Sequence, residues 1–298
     1  MTGFLLAHLT DPHLVPPAKP WTLGDIVSKR LLSRLSWRRK RRFAHRTEVL
    51  SAIVADIRAQ APDHVAVTGD ITNFADEGEF AAARSWFATL GATEDVTVSP
   101  GNHDALVARG HRTRFASWRP WFGDAEETGF PYVRRRGPLA IVNLCSALPT
   151  PPLLAGGRLG AAQLSRLGKV LDDARREGLV RVVLIHHPPD RLAASARACL
   201  WDAAALGETL LRHGAELILH GHVHHPHPTT LPGPNGPIPV VGVSSASART
   251  HGNPQARWHG FRITGAGEAA QVELIVRGFE EGGEVVVELA RKTLGQPR

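Results

Sequence analysis

The sequence predicts an α/β fold with buried strands, and three observations carry that prediction. Short apolar runs of strand type alternate with longer segments whose apolar residues recur at three- and four-residue spacing. From Ile238 onward the helical segments disappear, and strand-like runs follow one another across Gly-rich turns. Polar residues that resist a purely structural explanation gather at the carboxyl ends of the runs. Alternating β and α segments form layered α/β folds, because each element must bury its apolar face against another.

The first strand is FLLAHLT (4–10), and the next helical pattern spans roughly 44–60, with Val49, Ile53 and Ile57 in register. HVAVTG (64–69) and a helix near 78–90 follow, then DVTVSPG (95–101), LAIVNL (139–144), a helix near 160–176, RVVLIHH (181–187), a helix near 203–213 and AELILHG (215–221). The segment 226–239, PHPTTLPGPNGPIP, is predicted as a surface loop, because proline suits neither a helix interior nor a central strand. The tail from about 238 to 293 reads as a β-meander completing a second sheet within one domain of residues 1–298.

Composition narrows the function classes. The chain has 298 residues and a formal net charge of +7, but nine basic residues fall between Lys29 and Arg46 with no Asp or Glu among them. The remainder is close to neutral, so the basic character is local. Cys145 and Cys199 stand far apart and outside any C-x-x-C pattern, which argues against a disulfide framework or a thiolate metal site. GFLLAHL is too short for a signal segment, and no later run approaches the roughly eighteen apolar residues of a membrane span. The expectation is a soluble, cytoplasmic protein, with peripheral contact at the inner membrane surface as a refinement.

Five strand ends carry the chemistry: Asp11-Pro12-His13, Gly69-Asp70, Gly101-Asn102-His103-Asp104, His186-His187 and Gly221-His222-Val223-His224. Ligands of open α/β sheets bind outside the carboxyl ends of the strands, so these loops can converge. Asp, Asn and His offer oxygen and imidazole donors without thiolate, a set suited to Mn, Fe, Zn or Ni. Asp11 and His13, like His222 and His224, are two residues apart and project to one side of an extended segment. Glycines before Asp70, Asn102 and His222 allow sharp turns or close approach. Asp70, alone on its loop, is the candidate for a carboxylate shared by two cations.

D-x-H, G-D, G-N-H-D, H and G-H-x-H, in that order over residues 11–224, resemble the calcineurin-like metallophosphoesterase superfamily. G-N-H-D is similar within it to the class III cyclic nucleotide phosphodiesterases and their glycerophosphodiesterase relatives. The resemblance implies a four-layer αββα sandwich of two mixed sheets flanked by helices. It also implies that Asp11, His13, Asp70 and His224 hold one metal, and that Asp70, Asn102, His186 and His222 hold the other. His186 is preferred to His187 because the family's ligand lies two residues before a proline, here Pro188. The cofactors expected are two divalent cations, or a ferric–divalent pair, with Mn²⁺ or Fe foremost and Zn²⁺ as a further option. His103 is the expected catalytic residue, protonating the leaving alkoxide. Paired cations of this kind lower the pKa of a shared water, bind phosphoryl oxygens and align in-line displacement. In LHGHVHHPH (219–227), His225 and His227 then read as ordinary exposed histidines, and His220 as a buried or supporting one.

The basic insert, about 20–43, bears on the substrate. Val27, Leu31 and Leu35 at four-residue spacing, with Arg34, Arg38 and Arg39 among the charges, predict a basic amphipathic helix that lies on an anionic membrane or caps the site. RTRFASWRPWFGD (112–124) adds an aromatic-basic cluster in which Trp118 packs in the core or faces substrate. Arg34, Arg38, Arg39 and Trp118 are thus candidate substrate or membrane contacts. The expected function is hydrolysis of a phosphodiester such as a cyclic nucleotide or glycerophosphodiester. A membrane-associated phospholipid or lipid-linked pyrophosphate, a nucleic acid cut by a related nuclease, and a non-catalytic metal-stabilised interaction module are the alternatives.

Overall fold

The computed structural model describes residues 3–20, 22–124, 129–250 and 253–295. Its strands are β1 (Phe4–Leu9), β2 (His64–Thr68), β3 (Val96–Ser99), β4 (Tyr132–Arg136), β5 (Leu139–Asn143), β6 (Val180–Leu184), β7 (Leu217–His220), β8 (His227–Gly233), β9 (Gly236–Gly242), β10 (Arg249–Thr250), β11 (Asn253–Pro254), β12 (Arg257–Thr264), β13 (Gln271–Phe279) and β14 (Val286–Leu294). Its α-helices are α1 (Leu23–Ile26), α2 (Arg30–Ser36), α3 (Arg42–Ala44), α4 (Thr47–Ala59), α5 (Glu77–Leu90), α6 (His111–Ala116), α7 (Ala161–Arg176) and α8 (Ala203–His213). Two six-stranded sheets run in the orders β14-β13-β12-β1-β2-β3 and β4-β5-β6-β7-β9-β8.

The period-2 alternation of each strand sends its side chains into two different cores. Leu6, Ala66, Val182, Leu184, Leu217, Leu219, Phe261 and Leu274 meet between the sheets. Ala7, Leu9, Val65 and Val67 point the other way, onto Ile53, Ile57, Phe80 and Phe87 of α4 and α5. Val183 and Ile185 likewise pack on Leu167, Leu171, Leu206 and Leu210 of α7 and α8. These cores separate four layers, helix, sheet, sheet, helix. Because β1, β2 and β3 are parallel, and so are β6 and β7, the loops that follow them open at one edge of the sandwich.

Several expectations are corrected. The Pro-rich segment 226–239 is not a loop but the hairpin β8–β9. It tolerates prolines because β8 is an edge strand, and β9 pairs with β7 only from Val240, beyond Pro237 and Pro239. The tail therefore divides: β9 joins the second sheet, whereas the meander β12–β13–β14 extends the first sheet, antiparallel to β1. β4, with Arg134, Arg135 and Arg136 in its five residues, gave no apolar signal and went unforeseen.

The basic insert is not one amphipathic helix. It breaks into α1, α2, a π-helical turn at Trp37–Arg41 and α3. Residues 112–124 hold α6 and a 3₁₀ turn, and Trp118 is fully buried, stacked on Phe80 at 4.1 Å between ring centroids, with its indole N–H donating to the Phe80 carbonyl. Trp118 thus belongs to the core and is no substrate contact.

Candidate metal centre

Asp11, Asp70 and His222 each fall two residues beyond the end of β1, β2 and β7, His186 two beyond β6, and Asn102 three beyond β3. Turning the chain so soon after a strand forces unusual backbone. Asp11, His13, Asp70, His222 and His224 all have positive φ, between 42° and 74°, a region costly for residues with a Cβ. Such strain persists only where surrounding contacts over-determine it, and here it coincides with five of the seven expected ligands.

Those contacts can be traced. Asp11 Oδ2 accepts the backbone N–H of His222 at 2.9 Å and the Thr10 hydroxyl at 2.7 Å, which leaves Oδ1 facing His224 Nε2 at 3.1 Å. His13 Nε2 lies 3.4 Å from His224 Nε2, 4.0 Å from Asp11 Oδ1 and 3.9 Å from Asp70 Oδ2. The other oxygen of Asp70, Oδ1, lies 3.5 Å from His186 Nε2, which is 3.1 Å from Asn102 Oδ1. His222 stands beside His186, with ring centroids 5.1 Å apart. Asp70 therefore presents one oxygen to each half of the cluster.

Close approach is built in at the glycines. A Cβ on Gly101 would lie 2.3 Å from both the backbone N and Oδ1 of Asp70. One on Gly221 would lie 1.9 Å from the Thr10 hydroxyl oxygen and 2.6 Å from Asp11 Oδ2. The bare backbone lets the ligand loops touch.

The donor set fits a pair of cations. His186 Nδ1 is 2.7 Å from the Thr68 carbonyl, so Nδ1–H donates there and the Nε2 lone pair faces the cluster. Burial holds His13 well below the usual imidazole range and takes His222 down to about 3, so both stay neutral, as ligation requires. Burial pushes the Asp70 carboxyl up to about 7, with Asp11 and Asp104 as like-charged neighbours, a cost that an adjacent cation removes. Burial also opposes ionisation of Asp11, but the His224 imidazole beside it holds that carboxyl well below the usual range.

His187 lies close enough to His186 and His222 for the three to form a donor group. Its ring, however, is already satisfied, with Nδ1 2.8 Å from the Ser146 hydroxyl and Nε2 2.9 Å from the Ala155 carbonyl. His103 donates its backbone N–H to Asp70 Oδ1 at 2.8 Å, and its Nδ1 is 3.1 Å from the Asn73 carbonyl. Donation from Nδ1 to that carbonyl leaves Nε2 for chemistry. Asp104 accepts from the backbone N–H groups of Gly101, Thr72 and Ile71 and from the Thr72 hydroxyl, and so fixes the loop that carries His103. His220 is buried, His225 is exposed, and His227 departs from expectation by being half-buried in β8, 3.3 Å from Asp190.

The insert folds over this edge. Arg30 donates to the carbonyls of Phe74 and Ala75, and Ser33 to that of Asn73, which stitches α2 to the loop after Asp70. Arg34 is buried 3.5 Å from Asp25 and Asp76, so its charge is committed to the fold and not to substrate. Arg38, Arg39, Lys40 and Arg42 are exposed. Two residues that the motifs did not mark enter the site from this segment. Arg41 Nη2 reaches 2.7 Å from His13 Nδ1, and Arg41 Nη1 3.2 Å from His103 Nδ1. The His45 ring lies 4.3 Å from that of His13 and is held through Nδ1 by the Ser247 hydroxyl at 2.9 Å. No motif spacing marks either one; only the fold of the insert brings them in.

A family profile described as calcineurin-like phosphoesterase matches residues 4–226, a span that contains every donor above. The chain belongs to that family. Among solved structures, this calcineurin-like phosphoesterase is similar to a dimetal phosphatase from Danio rerio, at 14% identity and a TM-score of 0.61, with 99% of each chain covered. It is also similar to a purple acid phosphatase from yellow lupin (Lupinus luteus) seeds, at 14% identity and a TM-score of 0.52, over 92% of this chain and 51% of that one. Likeness at that identity establishes the shared fold, two mixed sheets flanked by helices. No curated protein sequence matches the chain. Among the described residues no helix is long and apolar enough to cross a membrane.

Proposed function

We propose that the protein is a metal-dependent phosphoesterase that hydrolyses a phosphodiester. The observation that carries this reading is the placement of His103. Its backbone N–H is tied to the shared carboxylate Asp70, its Nδ1 is anchored on Asn73, and its ring stands 5.2 Å from that of His13.

Asp11, His13, Asp70 and His224 would hold one cation, and Asp70, Asn102, His186 and His222 the other. Two cations supply Lewis acidity toward the phosphoryl oxygens and an activated water nucleophile. Burial and the Arg41 guanidinium hold His103 well below the usual imidazole range. With Nδ1–H on Asn73, its Nε2 therefore has a proton to give the leaving alkoxide only after taking one up, as an imidazolium that the anionic phosphoryl group would stabilise. Asp104 keeps the turn that carries His103 from shifting. A diester is favoured over a monoester by the resemblance of the G-N-H-D segment to the class III cyclic nucleotide phosphodiesterases.

Hydrolysis by Mn²⁺-loaded protein of bis-p-nitrophenyl phosphate, p-nitrophenyl phosphate, cyclic nucleotides, glycerophosphodiesters and single-stranded DNA tests the reading. Diester turnover above monoester turnover is expected, and monoester turnover alone would overturn the diester assignment.

A second reading is favoured by the surface of the insert. Leu23, Val27 and Phe43 are 76%, 77% and 55% exposed, in the same segment as the exposed Arg38, Arg39, Lys40 and Arg42. Apolar side chains among cations suit an anionic lipid surface. A groove lined by Leu14, Val15, Leu50, Val54 and Trp86 opens at His13 and His45, where the apolar part of a lipid phosphoester could lie. Salt-sensitive flotation with phosphatidylserine vesicles, lost on changing Leu23, Val27 and Phe43 to Ser, supports this reading; flotation unchanged by those substitutions removes it.

A further inference from the structure

Arg41 is set apart from its basic neighbours by where its side chain goes. Arg30 and Arg34 bind the fold, Arg42 lies over the Phe43 ring and Arg38, Arg39 and Lys40 are exposed, whereas the Arg41 guanidinium is directed into the cluster between His13 and His103. The π-helical turn at Trp37–Arg41 is the local cause. There the N–H of Arg42 bonds to the carbonyl of Trp37, and this wider turn shifts the helical register by one residue.

The contacts Arg41 makes are poor ones for a guanidinium. Its partners are imidazole nitrogens, with no ion pair to a carboxylate within 4.0 Å among the described residues. His103 Nδ1 cannot accept from Arg41 while it donates to Asn73, and His13 Nε2 is a candidate metal donor. A guanidinium carries five N–H groups and stays charged, so a partly buried one calls for an acceptor of opposite charge.

We infer that Arg41 binds a non-bridging oxygen of the scissile phosphoryl group, so that the insert supplies a substrate-binding cation to the metal centre. This inference rests on the phosphoesterase reading above. The chemical class is any phosphoester or phosphate anion, which a planar donor fork engages better than a point charge does.

The test uses full-length, Mn²⁺-loaded protein and its Arg41→Ala and Arg41→Lys variants, with the exposed Arg212→Ala as control. Inorganic phosphate binding is measured by calorimetry, kcat/KM on bis-p-nitrophenyl phosphate by absorbance, and bound Mn²⁺ by elemental analysis. Arg41→Ala is expected to weaken phosphate binding and lower kcat/KM by about 10- to 100-fold with Mn²⁺ content unchanged. Arg41→Lys should recover part of the loss, as should methylguanidinium added to Arg41→Ala. Wild-type protein that turns over while Arg41→Ala binds phosphate equally well overturns this inference alone, as does a loss that tracks departure of Mn²⁺. Wild-type protein that neither turns over nor binds phosphate overturns the phosphoesterase reading as well.

Discussion

Asp11 and His222, 211 positions apart in sequence, are joined by a 2.9 Å hydrogen bond from the His222 backbone N–H to Asp11 Oδ2. The bond ties the loop after the first strand of one sheet to the loop after a central strand of the other. It also occupies one carboxylate oxygen and so aims the second at His224. The candidate metal centre is thus a joint between the two sheets, and its geometry depends on how closely they approach.

That dependence makes Gly221→Ala a sharp substitution. A methyl group there would overlap the Thr10 hydroxyl oxygen at 1.9 Å, against two residues at 0% exposure. The expected outcome is a stability loss of about 1–3 kcal/mol together with loss of metal-dependent activity. Thermal unfolding and bound-metal analysis check it.

His103→Ala should leave both metals bound and lower kcat by about 10²- to 10⁴-fold on a substrate with a poor, alkoxide-type leaving group. With a p-nitrophenolate leaving group, which needs no proton, the loss should be much smaller. A pre-steady-state and steady-state comparison of the two substrates measures the difference. Equal losses on both would assign His103 to structure instead of proton transfer.

Acid should unfold the protein partly through histidines remote from the site. Burial takes His64 and His259 down to about 3 in the folded state, against 6.5 when exposed. The unfolded chain then binds more protons between those values, so stability is full above pH 6.5 and falls as pH drops toward 3. From pH 7 to 5 each group can cost up to about 2 kcal/mol. His259→Phe should shrink the difference in melting temperature between pH 7 and pH 5, and thermal melts at the two values check this.

Much of the fold and the donor cluster was legible in the sequence, for a physical reason. Buried parallel strands are written as continuous apolar runs, and a ligand loop must leave such a run abruptly, which marks Asp11, Asp70 and His222 without any coordinates. The hairpin at 227–242 was not legible, because proline argues against a central strand and only the sheet order reveals that β8 lies at an edge. Arg41 was hidden for a different reason. In a run of five consecutive basic residues, Arg38 to Arg42, periodicity cannot say which one turns inward, and that is decided by a π-helical turn with no sequence signature. Trp118 illustrates a third case: the sequence leaves it open between core and substrate, and its burial against Phe80, Phe87 and Phe122 decides for the core.

The central claim is that Asp70 is shared by two cations that act together. Titrating metal-free protein with Mn²⁺ while counting bound ions and following bis-p-nitrophenyl phosphate hydrolysis tests it most directly. The account predicts that turnover rises as the second ion binds, reaches its plateau at two ions per chain, and disappears in Asp70→Ala with loss of at least one ion. Full turnover with one ion or none, or an Asp70→Ala variant as active as the parent, would contradict it.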